Sequence, residues 1–113
     1  MTTLLKIHKT QLSRLPDVVA TVVTDRTGVL LEHTGDLDGE MAGAVLAVCA
    51  EILERTGGTL GLGALSRAAI SSSKSGCVIA PCDDEVLGVY VDATRSLAAF
   101  EVKLDGVLRQ VRS

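Results

Sequence analysis

Three groups of residues have the types and spacing from which chemistry could be built: a glycine-rich loop, three cysteines and two runs of acids. The loop is Gly58-Thr59-Leu60-Gly61-Leu62-Gly63. Its outer glycines match a phosphate loop, but that motif continues into Lys and then Ser or Thr, which reach the phosphates and the magnesium. Here Ala64-Leu65 follow, and a helical pattern precedes the loop where a strand should stand. Asp25-Arg26-Thr27-Gly28 has an Asp-x-x-Gly form, and without a phosphate loop it is hairpin-turn chemistry; the chain is not itself a nucleotide hydrolase. Cys77 and Cys82 on one strand face opposite ways and lie ~17 Å apart at ~3.3 Å per residue, against the ~7 Å that a disulfide tolerates between Cα atoms. Cys49 sits inside a helical pattern and reads as a small buried apolar residue. His8 and His33 have no recognisable partners. Gly35-Asp36-Leu37-Asp38-Gly39-Glu40 has the start of a calcium loop, whose closing bidentate acid would fall on Ala47; capping of the helix that follows explains these acids better. Asp83-Asp84-Glu85 reads as a solvated hairpin rather than an acid/base pair, and Ser71 to Ser75 has hydroxyls but no base. The sequence specifies no catalytic residue, no cofactor and no metal.

What these residues do depends on the elements that hold them. Leu4, Ile7, His8, Leu12 and Leu15 recur at helical spacing behind Thr2 and Thr3, and Pro16 ends that helix. Residues 17–24 form a β-branched run, residues 29–34 resume it after the turn, and the short connection makes an antiparallel hairpin. Residues 38–56 form the best helix, with Gly57-Gly58 as its stop. Met41, Val45, Val48 and Ile52 make one apolar stripe on it. Ala42, Leu46, Cys49 and Leu53 make a second, and Glu40, Glu51 and Glu54 share the remaining side with Ala44 and Ala47. A helix packed on one surface needs a single stripe, so this pattern predicts two neighbours. Strands are expected over 65–72, 77–81 and 86–92, and a last helix carries Leu97, Phe100, Leu104, Val107, Leu108 and Val111 on one face. The order helix, two strands, helix, three strands, helix predicts one α+β domain over residues 1–113, built on a five-stranded antiparallel sheet.

Composition narrows the class further. Aromatic residues are 2% of the chain and acids outnumber bases 14 to 11, which leaves neither a stacking platform nor a basic footprint for nucleic acid. An odd number of cysteines without framework spacing suits a reducing compartment. The apolar run at 41–50 is half of the ~20 residues of a membrane span. A soluble, cytoplasmic protein is expected.

The stretch Pro16-Asp17-Val18-Val19-Ala20-Thr21-Val22-Val23-Thr24-Asp25 followed by Gly28-Val29-Leu30 resembles the opening hairpin of the Roadblock/dynein light chain family. The Ala-rich helix, the Gly-rich connector, the serine-rich strand, and residues 86–92 running into Arg95-Ser96-Leu97-Ala98-Ala99 continue the resemblance in order, over nearly the whole chain. It implies the central helix on one face of the sheet and the terminal helices on the other. It also implies a homodimer formed by pairing third strands and packing central helices about a twofold axis. On the central helix and third strand, Met41, Val45, Val48, Ile52, Ser66, Ala68 and Ile70 are the expected dimer or partner interface. The small residues of that strand carry no proline, and Arg67 alone is weak protection for an edge. The bacterial branch of the family, the Mgl-type regulators, implies a non-enzymatic adaptor for a small Ras-like GTPase, and the Ala/Val/Leu/Gly-rich composition looks prokaryotic. The competing reading is a structural subunit of a larger complex without GTPase contact; a small-ligand sensor or enzyme comes third, for want of convergent polar residues.

Overall fold

The structure, a computed structural model, describes residues 18–73, 75–82, 84–92, 101–104 and 106. The expected first helix and most of the last lie outside these residues. Within them the chain forms β1 (Val18–Asp25), β2 (Leu30–Thr34), α1 (Gly39–Thr59), β3 (Ala68–Ser71), β4 (Ser75–Cys82) and β5 (Glu85–Asp92). The strands make one sheet in the order β2-β1-β5-β4-β3, antiparallel at every pairing.

Strand side chains alternate between faces, and this alternation sorts the core into two layers. Val22, Ile79 and Val86 face α1 and enclose Leu46 and Ala50. Val23, Val78, Ala80, Leu87, Val89 and Val91 face the other way and enclose Leu104, which is fully buried on helical residues 101–104. Both faces of the middle strands are therefore covered, which is why β1 and β5 read as nearly unbroken apolar runs. Helix α1 seats low on the sheet because β5 has no side chain beneath it at Gly88: a Cβ there would stand 2.5 Å from Leu46 Cδ1.

Local chemistry fixes the ends of the elements. In the β1–β2 turn, Asp25 Oδ1 accepts hydrogen bonds from the Thr27 hydroxyl at 2.7 Å, the Thr27 amide at 2.9 Å and the Val29 amide at 3.0 Å. The Thr27 hydroxyl, with the Val29 amide, holds the Asp25 carboxyl below its ordinary range. At the start of α1, Asp38 caps the helix by accepting from the Met41 amide at 3.1 Å.

Three sequence expectations need correction. Helix α1 does not stop at Gly57-Gly58 but runs through both to Thr59. It ends where Gly61 turns to φ +77, with the Leu62 amide bonded to the Gly57 carbonyl at 2.8 Å and the Gly61 amide to the Gly58 carbonyl at 3.1 Å. These paired bonds close the helix as a Schellman motif, so the glycine that matters is the one able to take a positive φ beyond the last turn. Second, β3 covers only 68–71 rather than 65–72, and Ser66 and Arg67 precede it. Extending the β3–β4 register would set Ser66 against Pro81, which has no N–H to offer the ladder. Third, Glu85 is not part of a solvated turn: it opens β5 opposite Cys82 and is 4% exposed.

Candidate interaction surface

The two stripes read from the sequence separate cleanly. Ala42, Leu46, Cys49 and Leu53 lie against the sheet, joined there by Gly43, Ala47 and Ala50. Ala47 thus belongs to the packed side and not, as the pattern suggested, to the charged one. Met41, Val45, Val48 and Ile52 form the neighbouring flank of the helix and are each 54–65% exposed. Monomeric proteins scatter single apolar residues over their surfaces but rarely line up four on one ridge.

Strand β3 presents its own side chains on the same side of the sheet as α1. Its Ala68 and Ile70 pair with Ile79 and Cys77, whose side chains pack on the α1 side, so both lie on that same face. Ile70 is 56% exposed and Ala68 half-buried. As the last strand of the sheet, β3 also leaves one edge of its backbone without a neighbouring strand among the described residues. Arg67 does not guard that edge: it donates to Glu101 at 2.9 Å, tying the approach to β3 to the helical residues of the other face. Of the seven expected interface residues, six lie on the α1 side of the sheet, while Ser66 sits in the exposed segment before β3.

Between the N-terminal half of α1 and the sheet a cavity of about 570 Å³ opens onto this face, lined by Ala20, Leu37, Met41, Ala42, Val45 and Tyr90 together with Asp36 and Asp38. Tyr90 and Ser75 also line a smaller hollow of about 260 Å³ beside Ile70 and Cys77, so a trough runs from the start of α1 to β3. Burial pushes the Cys77 thiol up to about 11, with the neighbouring Tyr90 hydroxyl opposing and Cys49 adding to the rise. Burial likewise raises the Tyr90 hydroxyl. Neither is poised to attack or to carry a proton at neutral pH. Cys77 packs with the α1-side core and Cys82 with the other, so the pair stands on opposite faces of β4 as its spacing predicts. Among the described residues no three His, Cys, Asp or Glu gather in a group able to hold a metal ion. His33 lies on β2 against Gly39 and does not line the trough.

Sequence reasoning missed Tyr90 as a lining residue and overlooked Leu60 and Leu62, which are 67% and 75% exposed just past α1. Two leucines in a glycine-rich connector were the available signal.

The architecture has known counterparts. No protein-family model and no curated protein matches the sequence. Among solved structures, MglB of Myxococcus xanthus superposes with a TM-score of 0.76 at 15% identity, over 85% of this chain and 81% of that one. A Roadblock/LC7 domain from Streptomyces avermitilis superposes with a TM-score of 0.75 at 15% identity, over 89% and 88%. The chain has the Roadblock fold. The same sheet and helix arrangement is shared more distantly with profilin of Schizosaccharomyces pombe, at a TM-score of 0.67 and 10% identity over 89% and 90%. In this Roadblock fold the exposed apolar residues lie on α1 and the edge strand β3, the two elements named from the sequence.

Proposed function

We propose that the protein is a non-enzymatic homodimer of the Roadblock type that binds and regulates a small Ras-like GTPase in the cytoplasm. The observation that carries this reading is the exposed ridge of Met41, Val45, Val48 and Ile52, with Ile70 exposed on an edge strand on the same side of the sheet. A surface of this kind is built to be covered by protein. The likeness to MglB and to Roadblock domains supports the regulator class. An inserted arginine can accelerate phosphoryl transfer by ~10³–10⁵, but Arg26 pairs with Glu54, Arg55 with Glu51 and Arg67 with Glu101 within the chain. Regulation then works by shifting the GTPase's own switch segments.

The test is titration against the Ras-like GTPase that co-purifies from the native host, loaded with GDP or with a GTP analogue. Binding to one state in preference to the other is expected, and Arg26→Ala should leave any effect on hydrolysis intact. Binding to neither state would favour a structural subunit of a larger complex. A large loss of hydrolysis in Arg26→Ala with unchanged affinity would show that the chain supplies a catalytic side chain after all.

A further inference from the structure

Two irregularities of the backbone shape the cavity of about 570 Å³ beside α1. In β1 the register with β5 shifts between Val18, opposite Val91, and Ala20, opposite Tyr90, so that Val19 is an extra residue in the ladder. A bulge of this kind re-aims a side chain. Val19 and Ala20 accordingly both line the cavity, where strict alternation would send one of them to the other face. In the loop after β2, Gly35 takes φ +91, and a Cβ there would stand 2.6 Å from both the Ala20 Cβ and the Val19 carbonyl oxygen. Only glycine lets the loop pass this close to the bulge. The close approach brings Asp36, Leu37 and Asp38 to the cavity wall, the two aspartates exposed at its mouth. Small side chains at Ala20 and Ala42 leave the volume open.

The lining sets what such a hollow can hold. Val19, Leu37, Met41 and Val45 make it mostly apolar, and its size suits a small molecule. The polar groups are the hydroxyls of Tyr90 and Ser75 and the carboxyls of Asp36 and Asp38, and among the described residues no basic side chain lines it. A helix N-terminus ordinarily favours an anion. That of α1 is already capped by the Asp38 carboxyl and carries Glu40 in its first turn. An entering anion would meet two carboxylates of its own sign. A cation would be attracted by both, and Tyr90 adds an aromatic ring, whose face attracts cations as well.

We propose that this cavity binds a small apolar amine, an alkyl- or arylammonium whose hydrocarbon part fills the hollow and whose charge is held at the mouth by Asp36 and Asp38. The site is formed within one chain and does not depend on the proposed dimer. Tyr90 is the only tyrosine and the chain has no tryptophan, so tyrosine fluorescence reports on this wall alone. The full chain is titrated with hexylammonium, hexanol and heptanoate, which carry one alkyl chain on a cationic, a neutral and an anionic head. The expected result is a saturable change in emission with hexylammonium, at an affinity about fivefold above that of hexanol, and no saturable change with heptanoate. Asp36→Asn, on an exposed loop, should bring hexylammonium close to hexanol while leaving hexanol unchanged. Ala42→Leu grows into the hollow and should abolish both responses with the circular dichroism retained. Equal responses to the three heads, or no saturable response to hexylammonium, would overturn the proposal. So would hexylammonium binding that Asp36→Asn leaves unchanged or that survives in a folded Ala42→Leu.

Discussion

Cys77 and Glu85 show how far a residue's behaviour is set by the face it occupies. Cys77 lies under α1, where burial raises its thiol to about 11. The neutral thiol is favoured more in the folded chain than in the unfolded one, where its ordinary value is 9.0. The stability this confers is complete below about pH 9 and is lost as pH rises toward about 11. Alkylation of native protein should accordingly be slow at Cys77 at pH 7.5 and accelerate only as pH approaches its raised value; labelling followed by peptide mapping reads this directly, and rapid labelling at neutral pH would contradict it. Glu85 is the opposite case. It is buried on the other face with Oε2 lacking a hydrogen-bond partner, and it stands directly across β5–β1 from Asp25. A buried acceptor without a partner costs about 1–3 kcal/mol and like charges directly opposite repel. Glu85→Gln, which keeps the shape and removes the charge, should therefore raise the stability to urea by about 1 kcal/mol; an equal or lower midpoint would mean that the carboxylate is satisfied in solution.

At the scale of elements, α1 is decided by what lies on each of its sides. Leu46 is 3% exposed and rests where Gly88 leaves room, so Leu46→Ala should cost about 3 kcal/mol. Val48, two positions on, is 56% exposed, and Val48→Arg should leave the fold and its circular dichroism intact while abolishing dimerisation. If instead Val48→Arg unfolds the chain and Leu46→Ala does not, the two sides of the helix have been exchanged. This division was legible in the sequence because a helix repeats every 3.6 residues: Met41-Val45-Val48-Ile52 and Ala42-Leu46-Cys49-Leu53 cannot share one contact. Which stripe met the sheet was not legible, since both are apolar and the choice depends on Gly88, forty-two residues away from Leu46. The ends of elements were harder for the same reason. The stop of α1 depends on which of several glycines takes a positive φ, the length of β3 on Pro81 in the neighbouring strand, and the burial of Glu85 on its register with Asp25 and Cys82. The cavity was not legible at all, because Ala20, Leu37 and Tyr90 come together only once β1, the β2–α1 loop and β5 are assembled.

For the whole molecule, the fold as one chain leaves the Met41-Val45-Val48-Ile52 face of α1 in water, a cost that the proposed second copy would remove. Association that occurs only in the folded state adds to stability by mass action, so the melting temperature of a dimer depends on protein concentration, however tight the dimer is. For two chains of 113 residues unfolding together, the unfolding entropy of ~2.1 cal/mol/K per residue makes each tenfold rise in concentration, worth about 1.4 kcal/mol, lift the melting temperature by about 3 °C. Calorimetry over a hundredfold range of concentration (roughly two such steps, within reach of ordinary instruments) should show this slope for the wild type. Val48→Arg should give a flat line, since a charged side chain at the centre of the ridge would be buried without a partner in the proposed dimer. A flat line for the wild type as well would mean that the ridge of α1 faces a different protein, and would move the search from a second copy of this chain to the partner that replaces it.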